Sequence, residues 1–125
     1  MLQKRAMVHI EADKKRNLLT FNYSKKVDAE EVRRALDDLR AALADMKPGF
    51  ALLTDLTGLE SMETGSARYI RQAMDLISKK GIQKVVRVIP DPRKDIGLNI
   101  LSNFHYPRGL PIITCLSRAD AERFL

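Results

Sequence analysis

The 125-residue sequence holds one cysteine (Cys115), no tryptophan, and two histidines, His9 and His105. A lone cysteine excludes an internal disulfide and a cysteine-rich zinc site, so the thiol content asks for no oxidising compartment. Two histidines without paired spacing leave metal binding without support, and no metal or cofactor is expected. No apolar run approaches the roughly 20 residues that span a bilayer as a helix. The opening "MLQKRAMVHIEADKK" is charged where a secretion signal would be apolar, so a cytoplasmic location is expected. Linkers, internal repeats and low-complexity segments are also missing.

What is present is ordinary globular material, 45% hydrophobic and 30% charged, long enough to bury a core in one domain over residues 1–125. The net charge is +6 and unevenly spread. Residues 1–26 carry seven bases against two acids and residues 79–94 six against one, whereas residues 27–78 carry six against ten. Two basic blocks suit nucleic acid, anionic lipid or an acidic protein. Aromatic interleaving, helix-turn-helix spacing and zinc fingers are lacking, which makes nucleic acid an unfavoured partner.

The apolar pattern divides the chain cleanly. "AMVHIEA" (6–12) and "LLTFNYS" (18–24) read as strands joined by the polar turn "DKKRN", an antiparallel hairpin. Asp28 with Glu31 three residues later signals a helix start, and Val32, Leu36, Leu39, Leu43 and Met46 form its apolar face, stopped by "KPG". "FALLTDL" (50–56) is continuous enough for a strand buried on both faces. Ala67, Ile70, Met74 and Ile77 mark a second helix closed by Gly81. "KVVRVI" (84–89) is a strand, "DPRKDIGLNILSNF" (91–104) a third helix, and "PIITCL" (111–116) a strand. Ser117 and Asp120 open a short last helix. Strands alternating with helices predict an α/β domain: a five-stranded, mostly parallel mixed sheet with an antiparallel N-terminal hairpin strand and about four helices. Leu52, Leu53, Val85, Val86, Val88, Ile112 and Ile113 are the expected sheet core.

Catalytic chemistry finds little footing. Gly58 and Gly65 are too far apart for a nucleotide-binding P-loop, no Lys-Ser or Lys-Thr follows Gly65, and the dinucleotide fingerprint is absent. Neither histidine stands in a recognisable context for activating Ser61, Thr64 or Ser66. Cys115 lies mid-strand, where a buried structural thiol is expected. Asp55 falls at the C-terminal end of a strand, where α/β sheets place ligands, with Glu60 and Glu63 close behind. Carboxylates ahead of a helix also simply complement its positive end. The expectation is a protein without enzymatic activity.

The segment "ALLTDLTGLESMETGSA" carries the strongest signal. It resembles the signature of STAS-like domains, the fold of bacterial anti-sigma-factor antagonists and sulfate-transporter tails. There an aliphatic strand ends in Asp-Leu-Ser/Thr-Gly plus an aliphatic residue, followed by Asp-Ser-Ser/Thr-Gly opening a helix. Asp55, Leu56, Thr57, Gly58 and Leu59 match the first half, Met62 and Glu63 keep the spacing into the second, and "KKGIQKVVRVI" has the same helix-Gly-strand rhythm. The resemblance implies a regulatory or scaffolding module that binds another protein, such as a kinase-type anti-sigma factor or similar regulator. In the antagonists a kinase phosphorylates the hydroxyl residue before the second motif's glycine. That position is Gly65 here, with Thr64 and Ser66 on either side and Glu63 in place of Asp.

The candidate interaction or phosphoacceptor loop is therefore Asp55, Thr57, Gly58, Ser61, Glu63, Thr64, Gly65 and Ser66, the docking surface continuing onto the start of the second helix, with Thr64 as that helix's expected cap. Two other readings remain open. One is a binder of a small anion, nucleotide or lipid at converging helix N-termini. The other is a nucleic-acid or membrane-surface binder resting on the basic blocks. Self-association as a homodimer is also left open.

Overall fold

A computed structural model describes residues 7–95, 97 and 105–125. Strand β1 (Val8–Asp13) returns through a tight turn, with Asn17 at φ 49°, into β2 (Leu18–Val27). Helix α1 (Ala29–Ala44) follows, then β3 (Phe50–Met62), a 3-10 turn (Thr64–Ser66), α2 (Ala67–Lys80) and β4 (Ile82–Val88). A second 3-10 turn (Pro92–Asp95), β5 (Ile112–Cys115) and a short helix, α3 (Arg118–Glu122), complete the described elements. The sheet runs in sequence order, β1-β2-β3-β4-β5, with β1 antiparallel to β2 and every later pairing parallel. This is the expected mixed sheet. Three α-helices lie among the described residues. Of the helix expected over 91–104, only the turn Pro92–Asp95 is described, and its main body lies outside the described residues.

Local chemistry accounts for the element boundaries. Asp28 is extended and its Oδ1 accepts from the Glu31 N–H at 2.8 Å, satisfying one orphan donor of α1. The face of α1 then repeats at Val32, Leu36, Leu39 and Leu43, all buried. Gly81 closes α2 at φ 106°, a left-handed conformation costly for any side chain, and a Cβ there would lie 3.2 Å from Pro48 Cβ. Ser117 Oγ accepts from the Asp120 N–H at 3.1 Å, starting α3 as the sequence indicates.

Successive right-handed crossovers advancing in one direction put α1 and α2 on the same face of the sheet. Under them lies the main core, with Leu19, Leu39, Phe50, Leu56 and Leu59 fully buried. The opposite face holds a smaller cluster of Leu18, Leu53, Val86, Val88, Cys115 and Ala121 beneath α3. Leu52, Leu53, Val85, Val86 and Val88 are buried as expected, and so is the Cys115 thiol. Ile112 and Ile113 are only half-buried, a correction with a simple cause. Among the described residues β5 is an edge strand, paired to β4 alone.

Candidate functional site

The largest departure from the sequence reading lies in the candidate loop. The chain does not leave the sheet at Leu56; β3 continues to Met62, seven residues beyond the end of β4's pairing at Asp55↔Val88. It does so by staying paired to β2, which reaches as far as its end, through Ser24↔Gly58, Lys25↔Leu59, Lys26↔Ser61 and Val27↔Met62. Two register shifts give β3 one extra residue each time, and Lys25 takes a left-handed φ of 56° beside the second. The physical reason is the pair Leu56 and Leu59, both fully buried, which hold this extension onto the core. Gly58 permits the close approach, since a Cβ there would stand 3.3 Å from Ser24 Cβ.

On the outer side of this extension Thr57, Gly58, Glu60, Ser61, Glu63, Thr64 and Gly65 are exposed. Asp55 and Ser66 are not part of that surface. Asp55 Oδ1 accepts from the Thr57 N–H at 2.9 Å and its Oδ2 from Arg118 Nη1 at 3.0 Å, leaving its side chain 13% exposed. It braces β3 against α3. Ser66 is fully buried and its Oγ has no hydrogen-bond partner among the described residues.

The expected Thr64 cap does not form. Thr64 sits inside a 3-10 turn, the residue preceding α2 is Ser66 in helical conformation, and neither Ser66 nor Glu63 caps through its side chain. The turn is instead held by backbone, with Glu63 N–H bonding Val27 O and Ser66 N–H bonding Glu63 O, both at 2.9 Å. A tightened 3-10 turn answers the orphan donors without a side-chain acceptor.

The turn packs on the start of α1, where a Cβ at Gly65 would be 3.5 Å from Ala29 Cβ. Two helix starts are thus neighbours, and both are already dressed with acids: Asp28, Glu30 and Glu31 on one, Glu63 ahead of the other. Arg33, donating to Glu30, holds the Glu30 carboxyl down at about 2. The sequence reading carried this surface onto the start of the second helix without naming the basic and aromatic pair found there. Arg68 Nη2 donates to Tyr69 Oη at 2.8 Å, with the guanidinium 4.7 Å from the Tyr69 ring centre. The available signal was the Arg-Tyr pair in the first turn of α2, directly after the polar stretch.

Each histidine lies beside a carboxylate. His9 Nε2 lies 2.9 Å from Glu11 Oε1, and His105 Nδ1 lies 3.2 Å from Asp75 Oδ1. Among the described residues no cluster of three metal-ligating side chains occurs, and no helix is long and apolar enough to cross a membrane. A cavity of about 30 Å³ under α2, room for one water, is lined by Tyr23, Tyr106 and the buried Arg87, whose Nη2 donates to Thr114 Oγ1 at 3.0 Å. Burial raises the hydroxyl pKa of both tyrosines.

No protein-family model and no curated protein matches the sequence. Solved structures do match. An uncharacterized DUF3478-family protein with a SpoIIAA-like fold from Shewanella loihica aligns with a TM-score of 0.72 at 18% identity, over 100% of this chain and 98% of the other. An anti-sigma factor antagonist from Mycobacterium paratuberculosis aligns at 0.59 and 19% identity, over 98% and 97%. The Pseudomonas aeruginosa complex of the diguanylate cyclase SiaD with its activator SiaC contains a chain aligning at 0.54 and 15% identity, over 90% and 93%. The chain has the SpoIIAA-like, STAS-type fold that the "TDLTGL" segment foreshadows.

Proposed function

We propose that this protein is a non-enzymatic regulatory module that docks another protein on the exposed face running from Thr57 to Thr64 and onto Arg68 and Tyr69 of α2. One observation carries the reading. A polar, exposed strip is mounted on a strand whose other side is anchored by the fully buried Leu56 and Leu59, so it is presented rigidly rather than as a loose loop. Rigid presentation lowers the entropy lost on binding, and an Arg–Tyr pair at its end is the residue chemistry enriched at interface hot spots. The comparisons support the class of function: a structure sharing this fold is named an anti-sigma factor antagonist, and another belongs to a complex of an enzyme with its activator.

The small-anion reading is weaker on the same surface. Both adjoining helix starts carry carboxylates, and Asp28 already occupies a free N–H of α1. If the surface is switched by phosphorylation, Thr64 is the acceptor that fits. It is exposed, whereas Ser66 is sealed in the core. A phosphate at Thr64 would add about −1.5 to −2 charge beside Glu63, changing what a partner meets while sparing the fold.

The test is to recover the partner by affinity capture and then measure its binding to Glu60→Lys, Glu63→Lys and Arg68→Glu variants. Loss of at least about tenfold in affinity, roughly 1.4 kcal/mol, with unchanged stability is expected from at least one of them. A hydrogen-exchange footprint of the complex lying wholly outside residues 57–80 would overturn the assignment.

A further inference from the structure

The two basic blocks of the sequence, far apart along the chain, meet at one end of the molecule. Strands β2, β3 and β4 all begin there, and the three loops that enter them are laced together. Asn17, in the turn before β2, donates from Nδ2 to Lys47 O at 3.0 Å and accepts the Lys47 N–H on Oδ1 at 2.9 Å. Gly49 N–H then donates to Gly81 O at 2.6 Å. The first loop brings Lys14, Lys15 and Arg16 to this pole, and the second brings Lys47. The end of α2 and the start of β4 add Lys79, Lys80 and Lys84. The nearby acids are already taken: Asp13 Oδ1 accepts the Arg16 N–H, Asp45 pairs with Lys14 at 3.4 Å, and Glu122 pairs with Arg16 at 2.8 Å. Among the described residues Lys15, Lys47, Lys79 and Lys80 form no ion pair. A groove of about 290 Å³ opens between the loops, lined by Arg16, Asn17, Leu18, Gln83 and Lys84 among others. Lysines scattered over a surface serve solubility, but gathering them from three loops sets like charges against one another, and the fold gains nothing from that.

We propose that this pole is a second docking surface, and that its occupant is an acidic segment of another protein. Three features select that class of partner. The cations that are paired here hold carboxylates, Asp45 on Lys14 and Glu122 on Arg16, so the surface already makes the contact it would offer a partner. Apart from Arg16 its bases are lysines, point charges on flexible stems that follow spaced carboxylates. The planar fork of arginine, which grips phosphate at two oxygens, is nearly missing. The three loops also expose no aromatic ring on which a base could stack and no large aliphatic side chain to anchor in a bilayer. The groove beside Lys84 admits acidic side chains between the loops, and the unpaired lysines around it meet the rest of the segment. Thr57, where the exposed strip of β3 starts, stands roughly 20 Å along the strand from Phe50 at this pole. The two surfaces are therefore separate, and the protein holds two partners at once.

Fluorescence anisotropy with a fluorescein-labelled polyglutamate peptide tests this without knowledge of the natural partner. The peptide should bind at about 50 mM salt and weaken several-fold at about 300 mM, as contacts between exposed charges are screened. Lys15→Glu combined with Lys47→Glu alters two exposed, unpaired positions and should raise the dissociation constant at least about tenfold with unchanged circular dichroism. Lys26→Glu combined with Arg71→Glu makes the same change in net charge away from the pole and should weaken binding far less. Both lysines of the first pair lie outside the β3 strip, so their loss leaves the strip's own partner bound. No binding of the peptide up to about 1 mM, equal weakening by the two pairs of substitutions, or tighter binding of duplex DNA or phosphatidylserine vesicles than of the peptide would each overturn the proposal.

Discussion

Arg118 and Asp55 stand 63 residues apart in the chain, yet Arg118 Nη1 donates to Asp55 Oδ2 at 3.0 Å, fastening the start of α3 to the point where β3 leaves the shelter of β4. The carboxylate that the family signature places at a strand end is engaged on both oxygens, one by this arginine and one by the Thr57 N–H.

Asp55 is therefore expected to matter for stability first. The pair is part-buried, between the exposed case worth under about 1 kcal/mol and the fully buried case near 3–5, so Asp55→Asn should cost about 1–2 kcal/mol. Asp55→Ala should cost more, because it also leaves the Thr57 N–H without its acceptor. Urea unfolding with both variants and Arg118→Ala decides the matter. Additive losses for Asp55→Asn and Arg118→Ala would show that the two residues do not act as a pair.

Ser66 and Thr64 should separate sharply. Removing a buried hydroxyl that has no partner among the described residues relieves a desolvation cost, so Ser66→Ala should be neutral or stabilise by up to about 1 kcal/mol. Ser66→Asp places an unpaired charge in the core and should cost about 3 kcal/mol or more. Thr64→Asp, on an exposed turn, should stay within about 0.5 kcal/mol of wild type. Equal losses for the two aspartate variants would contradict the burial difference on which the choice of Thr64 rests.

Gly58 is required by proximity rather than by φ. A methyl group there meets Ser24 Cβ at 3.3 Å across the bulged ladder, so Gly58→Ala should cost about 1–2 kcal/mol. Making room with Ser24→Gly should recover part of that loss. A double variant no more stable than Gly58→Ala would place the cost elsewhere.

Alkaline pH should weaken the fold through Tyr23 and Tyr106. Burial raises both hydroxyl pKa values above the ordinary 10, and the negative charge of one would further oppose ionisation of the other. A folded pKa above the unfolded one means that the stabilisation is complete below pH 10 and is lost as pH rises beyond it. Denaturant midpoints from pH 8 to 12 should therefore fall with a slope that is smaller in Tyr23→Phe and Tyr106→Phe. An unchanged slope in both variants would remove the tyrosines as the cause.

Much of this molecule was legible in order along the chain. Asp28 and Ser117 mark their helix starts by the hydrogen bonds their side chains make, and Gly81 its helix end by a conformation only glycine takes easily. Val32, Leu36, Leu39 and Leu43 declare a helix face by spacing, and Leu52, Leu53, Val85 and Val86 a buried sheet. These are local rules, settled within a turn or two of backbone, and they suffice for the element order and the strand-then-helix signature. The remainder depended on partners distant in sequence. "TGLESM" reads as loop because polar residues and Gly58 outnumber apolar ones, yet it is strand because β2 reaches equally far and Leu56 and Leu59 find the core. Thr64 has the composition of a cap, but the turn was tightened by Val27 and Glu63 carbonyls before a side chain was needed. Ile112 and Ile113 have the composition of core, but a strand with one neighbour buries only part of what it carries. Composition sets what each residue would prefer; the sheet's order decided which of them met a partner, because pairing and burial are properties of two segments and never of one.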